Sequence, residues 1–227
     1  MRKPFRLAAA ASIAALTVTL AACGSSESAA PAAAPSAAPM SAPMSAPMAA
    51  GGDGVTTNAD VFGPACSALP QGDSPGSLNA MGPQPVATAA STNPLLSTLV
   101  TAVGAVPGLA DTLNQQKAIT VFAPYNDAFA AVKQQVGDQA FNSLLANQQQ
   151  LGGLLSYHVV PQRYDAAGLV AAGKTTELAG GDLTIGGTAD APTVTDGMGN
   201  TANVLCGNIP TSNATVFVID KVLMPKA

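Results

Sequence analysis

"ITVFAPYNDAF", residues 119–129, holds two kinds of secondary structure in one short run. Ile119, Thr120, Val121 and Phe122 are β-branched or aromatic, and Pro124 stops the run, which predicts a strand. Asn126 then stands before Asp127-Ala-Phe-Ala-Ala-Val132, where an Asn or Asp side chain caps a helix by accepting from a first-turn amide. On the N-terminal side, Leu95, Leu96, Leu99 and Val103 lie at helical spacing. On the C-terminal side, Phe141, Leu144 and Leu145, then Leu151, Leu154 and Leu155, do the same. The second half changes period. "TTELAGGDLTIGG", "PTVTDGMGNTANVLCG" and "ATVFVIDKVLMP" alternate, with β-branched residues and Gly-rich breaks, as strands joined by tight turns do. Helices first and strands later, with one early strand, predict an α+β domain over about residues 55–227, long enough for a real core.

The chain before that domain is of another kind. Arg2, Lys3 and Arg6 head an apolar run from Leu7 to Leu20 that is too short to stay as a bilayer-spanning helix. This is the layout of a secretory signal peptide, over residues 1–22. Its ending, Leu20-Ala21-Ala22-Cys23, resembles the bacterial lipobox. That resemblance implies lipidation of Cys23 and attachment to the outer face of the membrane through a lipid anchor. Residues 23–54 then form an Ala/Pro/Ser/Met tether in which Pro31, Pro35, Pro39, Pro43 and Pro47 recur every four residues. Proline fixes φ and disfavours helix in the residue before it, so the segment is expected to be extended and disordered. At ~3.1 Å per residue it reaches about 95 Å. Ser and Thr beside Pro and Ala also resemble an O-glycosylated stalk. Met40, Met44 and Met48 repeat within "APM"; spaced thioethers suit Cu(I), and low-complexity drift in a spacer accounts for them as well.

Three signatures carry a family resemblance. "ITVFAPYNDAF" resembles the first signature of the fasciclin (FAS1) family, "LLSYHVVP" (154–161) its central Tyr-His motif, and "NATVFVIDKVLMP" (213–225) its closing one. The likeness covers residues 83–227. With the lead-in at 55–82, which contains "VFGPACSALP", it is nearer still to single-domain surface lipoproteins and secreted antigens of mycobacterial type. It implies a β-sandwich wedge of about seven strands with helices packed on one side, and a role in adhesion. Tyr125 departs from the family, which usually has Thr there; capping of the next helix is left to Asn126 or Asp127. Cys66 and Cys206 are expected to pair as a disulfide, since export is oxidising and Cys23 is consumed by lipid; two buried free thiols are the alternative. In eukaryotic relatives the Tyr-His segment is linked to integrin contact, so Tyr157 and His158 are a candidate recognition motif. A buried, backbone-bonded His158 is the competing reading, and the one expected here.

Catalytic chemistry is hard to find. His158 is the only histidine, with no ligand at metal spacing, so no metal site, catalytic residue or cofactor is expected. "GDSPG" (72–76) fits G-x-S-x-G, but Pro75 has no N–H to serve an oxyanion hole. "GMGNTA" (197–202) fits a dinucleotide loop, but a strand follows it where a helix is required. "NAT" (213–215) is a glycosylation sequon by pattern, placed where the last strand begins. Removing residues 1–22 leaves six basic side chains against 13 acidic ones, a net charge of −7, which argues against nucleic acid and anionic membrane faces as partners. The expected function is non-catalytic binding, as a monomer, to host extracellular matrix, a cell-surface protein, or an envelope glycan or lipid, with shedding or secretion as a second destination. The rivals are binding of a small apolar ligand or lipid in a groove of the wedge, an envelope structural role, and copper binding by the methionines.

Overall fold

A computed structural model describes residues 53–226. The signal segment, Cys23, the tether and Met40, Met44 and Met48 lie outside the described residues. The opening stretch is a strand, β1 (Ile119–Pro124), buried at every position. It pairs in parallel with the last strand, β7 (Ala214–Ile219), from Ile119 opposite Ala214 to Pro124 opposite Ile219. Both strands are apolar apart from Thr120 and Thr215, because both of their faces are covered. Ile119, Val121 and Ala123, with Ala214, Val216 and Val218, join a cluster shared with helices. Phe122, Phe217 and Ile219 join a second cluster on the opposite face.

The remaining strands are β2 (Val159–Val160), β3 (Lys174–Thr176), β4 (Asp182–Thr188), β5 (Ala191–Thr195) and β6 (Thr201–Pro210). The sheet runs β2-β1-β7-β6-β5-β4-β3, and only the β1–β7 pair is parallel. β6 belongs to both halves. Thr201–Asn203 pair with β5, and Val204–Pro210 pair with β7 through register shifts on either side of Cys206. Such irregularities bend a strand, and here the two halves close on one interior: Leu183, Ile185 and Val194 from one half meet Phe122, Phe217 and Ile219 from the other. This is the wedge. Asn208 sits in the shifted stretch of β6 at φ 57°, a left-handed conformation that Asn tolerates better than most residues.

Helices follow in chain order: α1 (Leu78–Met81), α2 (Val86–Thr92), α3 (Ser97–Gly104), α4 (Leu109–Gln115), α5 (Asn126–Val136), α6 (Asp138–Ala146), α7 (Gln148–Ser156) and α8 (Ala166–Ala172). The first seven send Met81, Val86, Leu99, Leu113, Phe129, Phe141 and Leu151 into the helix-side cluster. α8 is the exception, with Ala166 and Leu169 in the wedge interior. The lead-in packs on the same body. Leu69 is buried in the helix-side cluster, and Phe62 bridges Gly207 of β6. Among the described residues no single helix is long and apolar enough to cross a membrane.

The capping of α5 needs a correction. Tyr125 occupies the cap position, and no side chain accepts from the first turn there. Asn126 is already helical, and its amide serves a neighbour. Its Oδ1 accepts from the Thr98 amide at 3.0 Å and the Ser97 hydroxyl at 3.2 Å, and its Nδ2 donates to the Pro94 carbonyl at 3.0 Å. Asn126 therefore fastens the start of α3 onto α5. The sequence shows an Asn at a helix start but not which helix receives its hydrogen bonds.

Candidate functional site

The chain leaves α7 at Tyr157 and enters β2 at Val159, so the Tyr-His pair sits in the joint between the helical layer and the sheet. Tyr157 is 2% exposed and His158 3%. His158 Nδ1 lies 2.8 Å from the Leu154 carbonyl, and its Nε2 accepts from the Leu223 amide at 2.9 Å. These partners assign the proton to Nδ1, one turn back in its own helix, and tie that helix to the segment after β7. Burial drives the imidazole down to about 4, with the Leu154 carbonyl and Asp196 opposing it, so the ring is neutral at physiological pH. The Tyr157 hydroxyl accepts from the Gly197 amide at 2.7 Å. Burial is also the main cause that raises its phenol above the ordinary value. In this structure neither side chain of the candidate recognition pair presents surface to a partner.

What the pair supports is a set of turns. Glu177, 2% exposed, accepts from the Ala179 and Gly181 amides and closes the β3–β4 turn. Asp196 accepts from Met198, Asn200 and Met224 amides at 2.8–3.0 Å and closes the β5–β6 turn. A side chain on Gly181 would strike the Tyr157 ring, so the first turn rests against that tyrosine. The tips carry Leu178 and Met198, 40% and 59% exposed. Glu177 and Asp196 were not singled out from the sequence. The D-G-x-G run at 196–199 has the composition of a tight turn, but a carboxylate's burial depends on what packs above it.

A second feature lies on the helical side of the sheet. A cavity of about 190 Å³ separates α2, α3 and α4 from β1. Its buried lining includes Leu99, Leu113, Val121, Leu155 and His158, and its rim includes the half-buried Ala87, Ala90 and Val103 and the exposed Gly104. Asn213 organises its frame. That side chain is 7% exposed; Oδ1 accepts from the Val86 amide at 2.9 Å, and Nδ2 donates to the Leu113 and Gln116 carbonyls at 2.8 and 2.9 Å. It thus joins the start of α2 and the end of α4 to β7, and as the asparagine of the sequon it is enclosed.

Cys66 and Cys206 are joined as a disulfide, with Cα atoms 5.0 Å apart, 140 residues apart in sequence. The bond fastens the lead-in to β6, and Cys206 is fully buried in the helix-side cluster. "GDSPG" is a loop of turns before α1, and "GMGNTA" is the turn into β6. Among the described residues no group of three or more His, Cys, Asp or Glu side chains is placed to hold a metal ion.

A two-halved sheet closed over an aromatic core, helices on one face and a buried Tyr-His joint define a wedge-shaped class of α+β domain. The family model "Fasciclin domain" matches residues 94–225, and the chain belongs to the fasciclin domain family. It is 41% identical over 180 residues to the "Cell surface glycolipoprotein MPB83" of Mycobacterium bovis, covering 74% of each chain. It is 40% identical over 176 residues to the "Immunogenic protein MPT70" of Mycobacterium tuberculosis, covering 74% of this chain and 84% of that one. Among solved structures it resembles the FAS1 domain pair of the insect cell adhesion molecule fasciclin I, with TM-score 0.54 and 16% identity. That match covers 62% of this chain and about half, 51%, of the other, and it shows the fold alone.

Proposed function

We propose that this chain is an exported binding protein of the cell surface. It is anchored by a lipid on Cys23, held out on the 23–54 tether, and contacts its partner without catalysis through the fasciclin domain. The observation that carries the reading is the likeness to mycobacterial relatives at about 40% identity over 74% of this chain, one of which is named a cell surface glycolipoprotein. The lipobox-like Leu20-Ala21-Ala22-Cys23 run supports the anchor. Tyr157 and His158 act as framework in this reading. The contact residues are exposed side chains such as Leu178 and Met198 on the turns beside Tyr157. The partner is a host matrix or cell-surface protein, or an envelope glycan or lipid, engaged by a monomeric domain.

One domain of this size binds weakly, and many copies on one surface multiply that affinity through effective concentration. Beads carrying the protein at high density are therefore expected to adhere to matrix proteins or envelope extracts far better than the free protein binds them. Met198→Asp with Leu178→Asp should reduce adhesion without lowering the melting temperature. Adhesion that is unchanged in this double variant removes the turns from the contact surface. A bead surface that holds none of these materials overturns the binding reading.

A further inference from the structure

We propose that the cavity between α2, α3, α4 and β1 is a binding site for the end of a linear aliphatic chain, such as the tail of a fatty acyl lipid. The first reason is size. A cavity of about 150 Å³ in another protein admits benzene, so about 190 Å³ here takes roughly six to eight carbon atoms. The second is the chemistry of the wall. The only ring nitrogens in the lining are spent on Leu154 and Leu223, and the Ser91 hydroxyl at the rim donates to the Thr88 carbonyl at 2.7 Å. Both of these polar side chains are thus already bonded, so the lining recognises hydrocarbon and favours an occupant with no polar atom inside.

The third reason is the mouth. Residues 82–110, which form α2, α3 and the approach to α4, contain no Asp, Glu, Lys or Arg. An aliphatic chain meets no charged side chain from that stretch as it enters, and its polar end stays outside. Gly104 makes the opening specific. A Cβ there would meet nothing within 4 Å, and its backbone is not left-handed, so neither sterics nor turn geometry requires glycine. Glycine at a helix end without such a demand weakens the helix relative to alanine; what it provides here is an unblocked rim. The inference is independent of the adhesion reading, which rests on the exposed side chains of the β3–β4 and β5–β6 turns.

The test uses the full-length chain carrying Cys23→Ser, which has no thiol there to acylate, in detergent-free buffer with methyl-labelled Leu and Val. Octanoate has one apolar end; octanedioate has the same length and none. Octanoate is expected to shift the Leu99, Leu113, Val121 and Leu155 methyl signals saturably, and octanedioate to leave them in place. Gly104→Leu should weaken octanoate binding at least tenfold while the melting temperature holds or rises. Ala90→Leu, on the facing helix, should do the same and keeps the test decisive if one variant folds poorly. Absent shifts with octanoate, equal shifts with octanedioate, or undiminished binding in both well-folded variants overturns the proposal.

Discussion

The two faces of the β1–β7 pair are packed in different ways. In the wedge interior Phe122, Phe217, Leu169, Leu183 and Val194 are all fully buried, and the Phe122 and Phe217 rings lie 5.9 Å apart. On the helical face the same two strands are covered by α2, α3 and α4, which leave a 190 Å³ cavity. The difference follows from the side chains supplied. The interior is built from aromatic and branched residues whose positions the strand register locks. Helix α2 reads Val-Ala-Thr-Ala-Ala-Ser-Thr, and short side chains do not fill the space between helices. One layer is therefore expected to be rigid and the other adaptable.

Large-to-small substitutions break the contrast if it is wrong. Phe217→Ala in the interior is expected to cost about 3–5 kcal/mol. Leu99→Ala faces open space on one side, loses fewer contacts, and is expected to cost nearer 2 kcal/mol. Chemical denaturation of both variants measures this, and equal losses refute two packing regimes. Removing the disulfide with Cys66→Ala and Cys206→Ala is expected to cost about 2–4 kcal/mol. Because the bond holds the lead-in to β6, amide exchange should rise first in residues 55–82 and α1. Exchange rising first in β4 and β5 would place the bond's influence on the other layer.

His158 joins the two layers, and its effect is read as a pH dependence. Its folded value near 4 lies below the ordinary 6.5, so the unfolded chain binds more protons between those limits. Stability from this group is complete above about pH 6.5 and is lost as pH falls toward 4, by up to about 3 kcal/mol. It is the only histidine, so a slope between pH 6.5 and 5, above the ordinary carboxylate range, belongs chiefly to one residue. His158→Gln should be less stable at pH 7 and flat across that window. A wild-type protein equally stable at pH 7 and 5 shows that the ring is not enclosed in solution.

The strands were legible because their period is local. β4 alternates buried Leu183 and Ile185 with exposed Asp182 and Thr184, and β1 and β7 are β-branched and aromatic runs ended by Pro or a turn. The helices with Leu at regular spacing were legible for the same reason. α2 and α8 were not, since Ala- and Gly-rich runs show no amphipathic stripe. The family signatures reached further than periodicity did and implied the wedge; the Cys66–Cys206 pairing was expected from export and an even number of remaining cysteines.

By itself, then, the sequence determined the class of the domain, its strands and the helices that carry Leu at regular spacing. These depend on composition and on residues near one another in the chain. Tertiary structure alone decided the rest: that Asn126 caps α3, that Asn213 clasps α2 and α4, that the Tyr157 hydroxyl takes the Gly197 amide, and that α2, α3 and α4 leave a cavity over β1. Each depends on partners brought from distant parts of the chain. A hydrogen bond's second member, or the space two side chains fail to fill, is set by packing and has no local signature.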